Sequence, residues 1–153
     1  MDVGRIELHE ATAAHVRALL PRLRDDDRNE IHAAGWTCKQ ALWRSWKGSH
    51  LRTAALVDGE IAAIWGCGGT LLGDVGHPWL LTAPACERVP LAFVKIGRGE
   101  ASRMLRVHER LIGQVLGSHW RAIRTLTLMG FQLGHSVYLP GGAEFLEFFK
   151  RRD

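Results

Sequence analysis

The chain has 153 residues and a mass of 17.1 kDa, with 46% hydrophobic and 24% charged residues. These proportions exclude a disordered chain, a collagen-like chain and a coiled-coil rod, and the length suits a single domain spanning residues 1–153. Twenty Lys and Arg against sixteen Asp and Glu leave a formal charge of +4, which permits an anionic partner without requiring one.

Residues 1–10 carry three acids and no apolar core, so they are not expected to be a secretory signal. No apolar run approaches the ~18 residues of a membrane span. Cys38, Cys67 and Cys86 are odd in number and form no C-x-x-C, which points to free thiols in a reducing compartment.

Val3, Ile6 and Leu8 alternate loosely with polar neighbours and predict a first strand over residues 3–8. Thr12 stands as an N-cap before Val16, Leu19, Leu20 and Leu23, whose spacing is helical until Pro21 kinks or restarts the helix. Asp25, Asp26 and Asp27 suit a helix start, because carboxylates favour the positive end of the helix dipole, and Gly35 suits its end. Thr37 and Gln40 have capping-box spacing and open a short helix that Gly48 closes.

Asp58-Gly59 between the apolar runs 51–57 and 60–66 is a strong hairpin signal. Residues 78–82 form an apolar strand candidate, and 84–90 read as irregular. Residues 98–110 have a helical pattern, with Met104, Leu105 and His108 on one side and Arg103, Arg106 and Arg110 on the other. Residues 111–116 either prolong that helix or form a buried strand, and Gly113 in their middle favours the strand. A helix over 120–129, with Ile123, Leu126 and Met129 inward, ends at Gly130-Phe131, and a last hairpin covers 131–138 and 143–149. The predicted order is β, α, α, β, β, β, α, β, α, β, β, a mixed α/β or α+β domain.

Several chemistries fail on spacing. His108-Glu109 is followed by Ile112 where a zinc helix needs a second His, and the eight His and three Cys show no metal-ligand spacing along the chain. There is no Gly-x-Ser-x-Gly elbow. Gly97-Arg98-Gly99 mimics a dinucleotide loop, but Ser102 holds the third glycine position and no acid stands ~20 residues on. Arg103, Arg106 and Arg110 with Lys150-Arg151-Arg152 can touch nucleic-acid phosphates, or form a solvated face and a frayed end. The six Trp read mainly as core, or as a protein interface wherever several are exposed together.

The stretch Leu126-Thr127-Leu128-Met129-Gly130-Phe131, set between a buried strand and a final hairpin, resembles the C-terminal half of the Gcn5-related N-acetyltransferases (GNAT). The element order resembles the whole GNAT fold, a mixed, mostly antiparallel central sheet flanked by helices. A closer resemblance is to a divergent GNAT-like branch of tailed bacteriophages that includes a small internal virion protein of short-tailed coliphages. It rests on Arg24, Asp27 and Glu30 in an Arg-x-x-Asp-x-x-Glu stretch, on Gly76, Pro78, Trp79, Leu80 and Leu81, and on the segment 123–131. This resemblance implies a role in particle assembly or DNA delivery, other virion proteins as partners, and location in the virion and host cytoplasm.

The GNAT resemblance also implies acetyl-CoA as cofactor. Its pyrophosphate would lie on a loop and helix N-terminus of form Arg/Gln-x-x-Gly-x-Gly/Ala, where free N–H groups meet phosphate. The expected register is Arg98, Gly99, Glu100, Ala101, Ser102 and Arg103, in which Ala101 replaces Gly and Arg103 replaces a small residue. Leu81 and Thr82, on a splayed strand, would orient the thioester. The family's acid, a Tyr four residues before the Gly of Gly-Phe, is Leu126 here, and an Asn that often opens this motif is His119. His119 is then a substitute acid or a capping histidine. Glu30 is the candidate general base, or one member of a solvated ion-pair network with Arg24, Asp27 and Arg28. His32, Cys67 and His77 are further residues expected near the cleft.

Overall fold

The computed structural model describes residues 4–71 and 73–153. Val3, part of the predicted first strand, lies outside them. The elements run β1 (Ile6–Glu10), α1 (Ala13–Leu19), α2 (Asp25–Ala33), α3 (Cys38–Lys47), β2 (Ser49–Val57), β3 (Glu60–Gly68), β4 (Val75–Thr82), α4 (Pro90–Met104), β5 (Arg110–Leu116), α5 (Trp120–Leu128), β6 (Gln132–Tyr138) and β7 (Glu144–Arg151). The order differs from expectation by one more helix before β2, because Pro21 sits in a 3₁₀ turn that separates α1 from α2.

Local signals account for many boundaries. Thr37 Oγ1 accepts from the Gln40 N–H at 3.1 Å, and Gln40 returns a carbonyl to the Thr37 N–H at 3.1 Å. Three aspartates fill the first turn of α2. Asp58 and Gly59 both take positive φ, 51° and 80°, as a two-residue hairpin turn requires.

The seven strands form one sheet in the order β1-β2-β3-β4-β5-β7-β6. All neighbours are antiparallel except β4 and β5. Helices cover both faces. Val16, Leu19 and Leu42 pack with Ile64 and Leu81 on one face. Trp65, Cys67, Leu111, Val115 and Phe148 pack with Ala101 and Met104 of α4 on the other. Burial on both faces explains the unbroken apolar run of β3. Gly113 has no room for a side chain, since a Cβ there would lie 2.3 Å from the Phe148 ring. Among the described residues, no helix is long and apolar enough to cross a membrane.

The helix expected over 98–110 is instead α4, which starts at Pro90 and stops at Met104. The apolar run 91–96 is its first half. Gly97 is kept inside the helix by packing, because a Cβ there would meet Met129 at 2.4 Å. The helical arginine stripe therefore does not form. Arg103 ends α4, Arg106 lies in the following turn, and Arg110 is on β5 opposite Arg151 of β7. The tryptophans divide: Trp65 is core, Trp43 and Trp46 of α3 and Trp79 of β4 pack partly buried against the cluster of Val16, Leu19 and Leu42, and Trp36 and Trp120 are exposed.

Candidate functional site

β4 and β5 are hydrogen-bonded as a parallel pair only at Val75 with Arg110 and Gly76 with Leu111. His77 Nδ1 then donates to the Ile112 carbonyl at 3.0 Å, and beyond this point the strands diverge into a V. Divergence strands the N–H groups that would have faced the neighbouring strand, and an unpaired buried donor costs about 1–3 kcal/mol. Helix α2 answers them. The Thr82 N–H donates to Asp27 Oδ2 at 2.9 Å, and the Thr82 hydroxyl donates to the same oxygen. The Leu116 N–H donates to Glu30 Oε1 at 2.6 Å. Asp27 and Glu30 are three residues apart, so they share a helix face and reach one strand each. Arg24, the N-cap residue of α2, donates from Nε to Thr82 Oγ1 at 2.8 Å and pairs with Glu87 at 3.1 Å. Arg24, Asp27 and Glu30 thus form a strap across the open end of the V.

His119 is the N-cap residue of α5, beside this strap, and its side chain makes no capping hydrogen bond. It is buried, with Nδ1 3.8 Å from Glu30 Oε2 and Nε2 3.9 Å from Asp26 Oδ2, and neither ring nitrogen has a hydrogen-bond partner among the described residues. Burial opposes its charge, but Glu30, Asp27 and Asp26 together outweigh burial and hold its pKa above the ordinary histidine value. Burial pushes the Asp27 carboxyl up, against the two Thr82 donors and Arg24. A carboxylate, an imidazole poised to carry a proton, and a second buried carboxyl meet at one point. This set can hold a cationic amine or take its proton.

The V opens into a cleft of about 610 Å³, within the usual range of small-molecule sites. Asp27, Glu30 and His119 line one part of it, with Leu81 and Thr82 on the β4 wall. Arg121, Arg124 and Leu126 of α5 line another part, and Pro90, Leu91 and Val94 of α4 a third. Glu30 and His119, far apart in the chain, are brought together, and Leu81 and Thr82 lie on the same cavity. His77 is spent on the Ile112 carbonyl, Cys67 of β3 is buried in the core, and His32 has Cys38 Sγ as its neighbour at 4.0 Å.

Arg98, Gly99, Ala101 and Arg103 are not brought there. They lie in the second half of α4, where backbone N–H groups are committed to the helix, so they cannot form a phosphate loop. Arg98 donates to the Leu128 carbonyl at 2.6 Å, Ala101 is core, and Arg103 pairs with Glu100 at 3.5 Å. The helix N-terminus that borders the cleft on the β4 side is that of α4. Laid there, the Arg/Gln-x-x-Gly-x-Gly/Ala pattern falls on Glu87, Arg88, Val89, Pro90, Leu91 and Ala92. Only Ala92 agrees. Glu87 puts a carboxylate in the cleft, and Pro90 removes an N–H and fills the glycine space. Arg88 points its charge at Glu60, 2.8 Å away on the outer hairpin. These residues do not fit the backbone cradle for a CoA pyrophosphate. The signal was present in the sequence as the pair Pro84 and Pro90, but the pattern reads as helical only from residue 98, which hid the helix start.

No protein-family model matches this chain, and no curated protein matches it by sequence. Solved structures do match it over nearly its whole length. A GNAT-family acetyltransferase from Streptococcus pneumoniae superposes with a TM-score of 0.66 at 13% identity, covering 97% of this chain and 100% of that one. The ribosomal-protein-S18-alanine N-acetyltransferase of Escherichia coli gives 0.67 at 17% identity, with 96% and 94% covered. AAC(6')-Ib, solved with ribostamycin and coenzyme A, gives 0.72 at 16% identity, with 96% and 93% covered. The fold is therefore the GNAT fold, a seven-stranded mixed sheet flanked by helices.

Proposed function

We propose that this chain is a phage virion-associated or morphogenesis protein built on a GNAT scaffold, with acetyl-CoA turnover reduced or lost. A fold alone does not fix function, so the reading rests on the site. The observation that supports lost turnover is the entry into α4, where Glu87 and Pro90 replace the groups that receive a pyrophosphate. Leu126, on the cleft wall, adds to it, because it cannot protonate a leaving thiolate. The phage assignment is supported by the resemblance at Arg24, Asp27 and Glu30, at 76–81 and at 123–131. All three segments contribute residues to the V or its cleft.

A second reading, an acetyl-CoA-dependent N-acetyltransferase, is favoured by the buried His119–Glu30–Asp27 group and by neighbours that are acetyltransferases. In it Glu30 accepts the proton of an acceptor amine and His119 holds it.

Titration with acetyl-CoA separates the two. A native-state ligand at a hundredfold its Kd adds about 2.7 kcal/mol of stability, a shift of several degrees in Tm for a chain of this size. The proposed reading expects no shift at millimolar acetyl-CoA, and a saturable rise contradicts it. Mass spectrometry of purified phage particles is expected to find the chain as a component. Its absence contradicts the virion role.

A further inference from the structure

A second cluster lies outside the cleft, at the closed end of the β4–β5 seam. It joins His50 of β2, Cys67 of β3 and His108, which precedes β5. One ligand-type atom from each residue lies within 4.8 Å of the other two. We propose that these three side chains form a binding site for a borderline-soft, tetrahedral divalent cation, Zn²⁺ by chemical class, with the fourth position taken by water.

Three features of the backbone build this cluster. His50 is the extra residue of a β-bulge, because Ser49 pairs with Gly68 and Leu51 with Cys67, leaving His50 without a partner. Bulges re-aim a side chain, and this one turns His50 towards the core, where its Nε2 lies 2.9 Å from His108 Nε2. Gly76 supplies the space, since a Cβ there would lie 2.6 Å from the His108 ring and 2.7 Å from Cys67 Sγ. His108 is fully buried, and its Nδ1 donates to the Gly73 carbonyl at 2.9 Å. That bond fixes the tautomer and leaves the Nε2 lone pair facing His50, the outer-shell arrangement common to metal-binding histidines.

The donor set suits zinc. Two imidazole nitrogens and one thiolate are among its usual ligands, at about 2.0 Å and 2.3 Å. Tetrahedral nitrogens at that radius stand about 3.3 Å apart, so the rings need part by only a few tenths of an ångström from their hydrogen-bonded spacing. On binding, Cys67 releases its proton to solvent and His50 moves its proton to Nδ1. Both then present lone pairs to the ion. The three positions have no recognisable spacing along the chain, which is why sequence inspection finds no metal motif.

Cobalt(II) tests the site on the reduced, chelator-treated full chain. Expected are tetrahedral d–d bands and a near-ultraviolet sulfur-to-cobalt charge-transfer band at one equivalent, both lost when Zn²⁺ is added, with a rise in Tm. Cys67→Ser should abolish the charge-transfer band. His50→Ala, at a half-buried position that the core does not need, should weaken binding by more than about tenfold. If Cys67→Ser does not fold, His50→Ala decides alone. Three results overturn the proposal. One is the absence of bands at millimolar cobalt. Another is cobalt bound without a charge-transfer band, which excludes Cys67 as a ligand. The third is unchanged affinity in His50→Ala.

Discussion

The two ends of the seam between β4 and β5 solve the same problem differently. At the closed end, strand pairs strand, and the space beneath is filled by His50, Cys67 and His108 against a glycine. At the open end the strands part, and a helix supplies carboxylates to the N–H groups left behind. The closed end is held mainly by packing, and the open end by polar groups that burial makes costly to lose. The difference teaches what each end offers: the open end sets Asp27, Glu30 and His119 on a cleft of about 610 Å³, and the closed end gathers two histidines and a cysteine in a packed cluster.

Removing the strap should have the largest effect. Asp27→Ala leaves the Thr82 N–H and hydroxyl without their shared acceptor, and should cost about 2–3 kcal/mol in denaturant unfolding. An effect below ~0.5 kcal/mol would show that the open end needs no strap. Gly76→Ala probes the closed end. The added methyl meets a fully buried ring, and overpacking of this kind costs about 1–3 kcal/mol. Full stability in that variant would mean that the closed end is not tightly packed.

How far each end was legible in the sequence follows from the range of its causes. The hairpin at Asp58-Gly59, the capping box at Thr37 and Gln40, and the aspartates of α2 act within a few residues, and their elements formed as read. The start of α4 did not, because Gly97 argues locally against a helix, while the contact that keeps Gly97 helical comes from Met129. Glu30 and His119 were each singled out by resemblance, yet nothing local said they would meet. Asp27 reads as a helix-start aspartate, as part of the Arg24–Glu30 resemblance and as a member of an ion-pair network, and none of these readings points to its acceptor role at the end of β4. The zinc-type cluster was illegible because a bulge, a core position and a turn have no common spacing.

Smaller effects sharpen the contrast. Glu30→Gln keeps a carbonyl acceptor for the Leu116 N–H, so stability should change by less than about 1 kcal/mol. It removes a charge from His119, however, whose NMR-titrated pKa should fall towards or below the ordinary value. An unmoved pKa would break the link between the two residues. The pH dependence has a definite sign. The folded-state pKa of His119 is raised, so its contribution is fully present below about pH 6.5 and lost as pH rises through the folded value. The Tm difference between the wild type and His119→Asn should therefore be larger at pH 6 than at pH 8, and a reversed order would contradict this assignment. The smallest effect belongs to Arg88→Ala. This exposed pair with Glu60 should be worth no more than about 1 kcal/mol, with no change at either end of the seam.

The strap itself is tested most directly by amide hydrogen exchange at Thr82 and Leu116. Both amides should be protected in the wild type, although neither faces a strand partner across the V. Asp27→Ala should speed Thr82, Glu30→Ala should speed Leu116, and the paired Val75 and Gly76 should keep their wild-type rates. Unprotected exchange at Thr82 and Leu116 in the wild type would contradict the account of an open end held by α2.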